Sequence, residues 1–128
     1  MSGREQIKVL VTDPFEQEGV AILKEAGFQV DEVGKLQPDR LAEMIPGYDC
    51  LIVRSATKVT AEAIRRGTRL KIIGRAGVGL ENIDIKEATA CGVIVMNAPE
   101  GNTISAAEHA IGMMFALARR IPAACQSV

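Results

Sequence analysis

Residues 70–97, "LKIIGRAGVGLENIDIKEATACGVIVMN", contain one complete strand–loop–helix–strand unit. Leu70–Gly74 and Val93–Asn97 are short apolar runs rich in Ile and Val. They are nearly continuous rather than alternating, which suits strands covered on both faces, as in a parallel sheet. Between them a glycine-spaced turn, Gly77-Val78-Gly79, precedes a helix that the spacing predicts to start at Asp84, with Glu87 three residues on, and to stop at Gly92.

The same unit recurs outward along the chain. "IKVLVT" (7–12), "FQVDEV" (28–33) and "CLIVR" (50–54) are the other strand candidates, and the alternation in the second fits an edge strand. Asp13-Pro14 offers a cap and an early Pro, with Val20, Leu23 and Ala26 on one stripe before Gly27. "QPDRLAEMIPG" gives a short helix with Leu41, Met44 and Ile45 inward, and Thr60 to Gly67 frame another. Alternating strands and helices imply a parallel sheet with right-handed crossovers. The expected fold is α/β, a flavodoxin-like doubly wound five-stranded parallel sheet of order 2-1-3-4-5 over residues 1–102.

The totals narrow the function. The chain has 128 residues, 15 basic against 16 acidic, and a formal charge of −1. Broad nucleic-acid and membrane surfaces need clustered positive charge, so neither is expected. With no Trp, one Tyr and three Phe, stacking platforms for bases or flavins are scarce. No apolar run reaches membrane-span length, and "MSGREQIKV" has no apolar export core, so a cytoplasmic location is expected. Cys50, Cys91 and Cys125 are widely spaced, without C-x-x-C, and read as reduced thiols.

Open parallel sheets bind ligands beyond the carboxyl ends of their strands. That rim holds Asp13, Arg54-Ser55, Arg75 with the Gly77-Val78-Gly79 turn, and Asn97-Ala98-Pro99. Arg54 and Arg75 follow neighbouring strands, and two guanidiniums so placed can grip a phosphate or carboxylate. The alternative is that each pairs with an acid such as Asp13 or Glu81. The turn partly imitates a dinucleotide fingerprint, with Glu100 at a following strand's end. Its third glycine position is Asn82, however, and the following helix is short. A loop whose backbone N–H groups face a small anion beside Arg75 fits better. A receiver domain would need an acid after the third strand and Lys after the fifth, where Arg54 and Asn97 stand. A flavodoxin would need a Ser/Thr-rich first loop, where "DPFEQEG" is acidic.

"NTISAAEHAIGMMFALARRIP" predicts one long helix, capped by Asn102 or by Ser105 with Glu108. Its apolar stripe of Ile104, Ala107, Ile111, Met114, Leu117 and Ala118 is widened almost right round by Met113, Phe115 and Ala116. Residues 103–128 are therefore expected to form a separate element, folded back or exchanged between copies in a homodimer through 103–121. His109 follows Glu108, but adjacent helical residues point about 100° apart and cannot act as one acid–base pair. A helix-surface or interface role suits it, and no zinc-type spacing exists.

"LIVRSATKVTAE", "GRAGVGLENIDI" and "GVIVMNAPEGNTISAAEH…ARRIPAA" together resemble the amino-terminal region of the D-2-hydroxyacid dehydrogenase family, in its 3-phosphoglycerate-oxidising branch. The similarity runs from about Ile7 to the end. It implies an NAD-dependent oxidoreductase of serine biosynthesis in which two doubly wound domains flank a cleft. This chain resembles the substrate-binding domain. By that resemblance Arg54 and Arg75 contact the phosphate of 3-phosphoglycerate, and Ser55 lies beside them. Gly77, Val78 and Gly79 approach the carboxylate, and Val78 is the cofactor contact toward the nicotinamide of NAD. Some members carry a hydroxyl residue where Val78 stands, so contact here rests on backbone or apolar packing. Helix 103–121 resembles the helix leading into the NAD domain. The family's G-x-G-x-x-G segment and catalytic Arg, Glu and His are not in this sequence, and His109 does not match that histidine. The expectation is an inactive piece of the enzyme with no catalytic residue, metal or bound cofactor of its own; the alternative is a free-standing flavodoxin-like folding or interaction module.

Overall fold

A computed structural model describes residues 6–127. Two compact units are present, one reaching to Ala98 and the other starting at Pro99.

In the first unit five strands alternate with four helices: β1 Lys8–Val11, α1 Gln17–Glu25, β2 Gln29–Glu32, α2 Pro38–Met44, β3 Cys50–Val53, α3 Ala61–Arg66, β4 Ile72–Arg75, α4 Ile85–Ala90 and β5 Ile94–Asn97. All strand pairs are parallel, in the order β2-β1-β3-β4-β5. The order reverses direction after β2, so right-handed crossovers send α1 to one face and α2, α3 and α4 to the other. One cross-strand row, Leu10–Leu51–Ile73–Val95, faces the three helices. With Leu41, Ile45, Ile64, Ile83 and Ala88 it forms the main core. Each large apolar side chain hidden there contributes about 1.5–3 kcal/mol.

The opposite face is covered unevenly. Val9, Val11 and Val20 of α1 are buried outside the main core. Farther along the same face, Ile94 and Met96 of β5 are 59% and 57% exposed. Burial of both faces, expected from the continuous apolar run, therefore does not extend to β5. β2 is an edge strand, as its alternation suggests.

Helix starts follow local chemistry in two cases. Thr60 caps α3 by accepting from the Ala63 N–H, and Asp84 caps α4 by accepting from the Glu87 N–H. The reciprocal half of a capping box is missing at α4. The Glu87 carboxylate instead pairs with Arg65 at 3.0 Å, and the Asp84 N–H bonds to the Val59 carbonyl. The expected cap at Asp13 is wrong, because α1 starts at Gln17 and is preceded by Glu16 with no side-chain cap.

The amino ends of the strands are stapled by Asp49. Its N–H bonds to the Lys8 carbonyl and its carbonyl accepts from the Lys71 N–H. Its carboxylate accepts from the Lys8 N–H at 2.9 Å and from Arg69 at 3.2 Å.

The second unit contains α5, Thr103–Ala118, and α6, Ile121–Gln126. Asn102 precedes α5 without a side-chain cap, and Ser105 lies inside the helix rather than capping it. The single helix expected through 121 ends instead at Ala118, because Arg120 adopts a left-handed conformation (φ 49°) and Pro122 falls in the first turn of α6.

Candidate functional site at the carboxyl rim

Asp13 organises the first part of the rim. Thr12 extends the β1 ladder by donating to the Ile52 carbonyl, and the chain then turns at Asp13 with φ 67°. Only Asn, Asp and Gly take up this region readily. The turn directs the buried carboxylate at the bend after β3. One oxygen accepts from the Arg54 N–H at 2.9 Å and the Thr57 N–H at 3.0 Å, and the other accepts from the Thr57 hydroxyl at 2.6 Å. Three bonds to an ion offset the cost of its burial. The Arg54 guanidinium stays exposed and donates to the Pro14 carbonyl at 3.3 Å. Ser55 is exposed on the same bend.

Arg75 ends β4 in register with Val53, so Arg54 and Arg75 belong to the same end of adjacent strands. Arg75 is only 8% exposed. Its Nη2 donates to Glu81 Oε1 at 3.0 Å, while its Nε is buried without a partner. The acid-pairing alternative thus holds for Arg75. For Arg54 it is the backbone N–H, rather than the guanidinium, that meets Asp13.

The glycine turn is built by space rather than by backbone strain. Neither Gly77 nor Gly79 has a positive φ. A Cβ on Gly77 would stand 3.1 Å from Arg75 Nη1, and one on Gly79 would collide with the Glu81 carboxylate. The two glycines therefore leave room for that ion pair. Two amides fix the loop. Asn82 Nδ2 donates to the carbonyls of Arg54 at 2.6 Å and Thr57 at 2.7 Å, joining the turn to the bend after β3. Asn97 Nδ2 donates to the Val78 carbonyl at 2.7 Å, joining it to β5. Among the described residues, none accepts from the N–H of Val78 or Gly79. Val78 itself is 41% exposed.

These contacts do not suit a dinucleotide pyrophosphate. Such a site needs a glycine-lined approach to a free helix N-terminus. Here the Asn82 side chain is committed to two carbonyls, and the Asp84 carboxylate already occupies the start of a six-residue helix. The sequence marks Asn82 only by the absent third glycine, and marks Asp13 as a candidate helix cap and as a rim acid that could pair with an arginine. Their true partners lie 25 to 44 positions away, and no local pattern announces them.

Burial, then the Asp49 charge, pushes the Cys50 thiol up despite Lys71, and Cys91 is likewise raised, by desolvation and then by Glu87. His109 lies in α5, exposed. Among the described residues no group of three or more His, Cys, Asp or Glu could hold a metal, and no helix is long and apolar enough to cross a membrane.

The model of the D-isomer-specific 2-hydroxyacid dehydrogenase catalytic domain matches residues 9–128. Curated relatives include D-3-phosphoglycerate dehydrogenases of Synechocystis, 54% identical over 121 residues, and of Archaeoglobus fulgidus, 49% identical over 122 residues. The alignments cover 94% and 95% of this chain but only 22% and 23% of those relatives. Among solved structures, the NAD+-bound 3-phosphoglycerate dehydrogenase of Entamoeba histolytica superposes with a TM-score of 0.76 at 36% identity, over 87% of this chain and 39% of that one. A protein of Pyrococcus horikoshii gives 0.82 at 30% identity, over 94% and 36%. Sheet order, rim and matched sequence lead to one assignment: the chain belongs to the D-isomer-specific 2-hydroxyacid dehydrogenase family.

Proposed function

We propose that this chain is the substrate-binding part of an NAD-dependent D-3-phosphoglycerate dehydrogenase and that it is inactive without the rest of such an enzyme. The observation that carries this reading is the pair Arg54 and Arg75 on adjacent strand ends, beside a loop whose Val78 and Gly79 N–H groups have no acceptor among the described residues, in a chain about half identical to enzymes of that name. Arg54, Ser55, Arg75, Gly77, Val78 and Gly79 form the substrate site. The guanidiniums take the phosphate, and the loop N–H groups take the carboxylate. Val78 offers an apolar contact to the nicotinamide end of NAD, whose remaining contacts come from a separate domain. In the complete enzyme a hydride passes from substrate C2 to NAD while a base takes the hydroxyl proton. This chain contributes anchoring and orientation. The setting is cytoplasmic.

Charge-assisted bonds contribute about 1.5–3 kcal/mol each, and two of them less the immobilisation cost give roughly millimolar affinity. Titration calorimetry with 3-phosphoglycerate at low salt should show this weak binding, and Arg54→Ala and Arg75→Ala should abolish it. Equal affinity in both variants rejects the site. Mixing the chain with NAD and 3-phosphoglycerate should produce no NADH absorbance, and sustained turnover rejects the inactive-part reading. A chain that binds no phosphorylated acid at all is instead a non-catalytic folding or interaction module.

A further inference from the structure

We infer that Glu81 is a built-in competitor at the Arg75 anion position, and that it sets the affinity of the site by having to leave before a ligand anion can bind. The inference rests on the reading of the rim as an anion site and adds a residue that the reading does not contain. Arg75 is almost wholly buried, and Glu81 Oε1 takes its Nη2 at 3.0 Å. Burial makes that guanidinium expensive to leave unpaired. The two ends of the pair are unequal: the Arg75 side chain is 7% exposed and that of Glu81 is 72% exposed. The glutamate is little held by packing, so what keeps it in place is the buried arginine it would leave unpaired, a cost that an incoming anion removes.

The loop is shaped around this arrangement. Gly79 has no side chain where the Glu81 carboxylate lies, and Gly77 abuts Arg75 Nη1. Arg75 Nε is still without a partner. One carboxylate oxygen on Nη2 leaves the buried Nε unpartnered, and a tetrahedral anion that replaces Glu81 on Nη2 brings a second oxygen to the Nε side of the guanidinium. A displaced Glu81 has somewhere to go, since it lines an open cleft of about 390 Å³ that Lys58 also lines. Binding is thus an exchange of one anion for another, and the glutamate screens out anions too weak to displace it.

The test uses the 128-residue chain and inorganic phosphate as probe, with affinity read by calorimetry and the Arg75 Nε–H followed by ¹⁵N NMR. Glu81→Gln keeps the size of the side chain and removes its charge, and it should bind phosphate roughly three- to tenfold more tightly than the parent. The Arg75 Nε–H signal should shift on phosphate addition in both proteins, at lower phosphate in the variant. Unchanged or weaker binding in Glu81→Gln overturns the inference while leaving the rim intact, provided Arg54→Ala still abolishes binding. Absence of phosphate binding in both the parent and Glu81→Gln overturns the inference and the anion rim together. Gly79→Ala supplies a second variant, since its new methyl expels the Glu81 carboxylate; it should lose the Arg75–Glu81 pair and bind phosphate more tightly. Weaker binding there with Arg75 freed counts against competition.

Discussion

The behaviour of the rim is decided by Asp13. A left-handed residue whose carboxylate accepts three hydrogen bonds is both a strain point and an anchor. Asp13→Ala removes the acceptors of two N–H groups and a buried hydroxyl, and places a Cβ residue with no local compensation at φ 67°. The expected destabilisation is about 2–4 kcal/mol, measured by urea unfolding. Asp13→Asn tolerates the same backbone and keeps one acceptor, so it should lose clearly less. If the two variants unfold at the same urea concentration, the carboxylate is not the anchor. Position 13 was legible as a rim residue because it follows an apolar run. A link to Arg54 was also legible, though through the guanidinium rather than the backbone N–H, while Thr57, 44 positions away, has no signal in a linear pattern.

At the level of elements, strands, order and most helix limits followed from apolar runs and turn residues. Those signals are local and are repeated in every unit, so each supports the others. The failures occurred where context overrides them. α1 lacks the expected cap because Asp13 is claimed by β3's bend, and α5 stops because Arg120 turns left-handed, a break that Pro122 could have signalled. The rim depends on two amides, so Asn82→Ala should leave the carbonyls of Arg54 and Thr57 without donors and loosen the bend carrying Arg54. A loss of about 1–3 kcal/mol is expected, with faster hydrogen exchange at Thr57 than in the strands. Unaltered exchange at Thr57 removes Asn82 from the account.

The opposite end of the sheet supplies a pH dependence. Burial raises the Asp49 carboxyl, but the Lys8 N–H, Arg69 and Lys71 outweigh it and hold the group below its ordinary value of 3.8. A depressed folded value means that its contribution is complete above the unfolded carboxylate range and is lost as pH falls through the folded value. Stability of the parent should therefore decline through this acid window. Asp49→Asn should be less stable at pH 7 and show a shallower decline below pH 4. A variant with the parent's acid profile shows that other carboxylates govern the transition.

At the scale of the whole molecule, the second unit poses a problem of exposed apolar surface. No residue of α5 is buried, and Ile104, Met114, Phe115 and Leu117 are each more than half exposed. Surface of this kind usually marks an interface. With about 25 cal/mol for each Å² of apolar area removed from water, there is strong drive to cover it. We propose as covers the two expected from the sequence, the sheet of the same chain by fold-back or another copy meeting the helix through residues 103–121, and, by analogy with the longer relatives, a cofactor-binding domain. They separate by experiment. If copies pair, light scattering should show a mass that rises toward the dimer with concentration. Met114→Glu with Leu117→Glu should return it to the monomer value while leaving the melting of the sheet unit unchanged, since neither side chain belongs to its core. A mass constant at the monomer value, with unprotected amides along α5, excludes pairing of copies through this helix. Those two outcomes decide whether the apolar helix is a self-association surface.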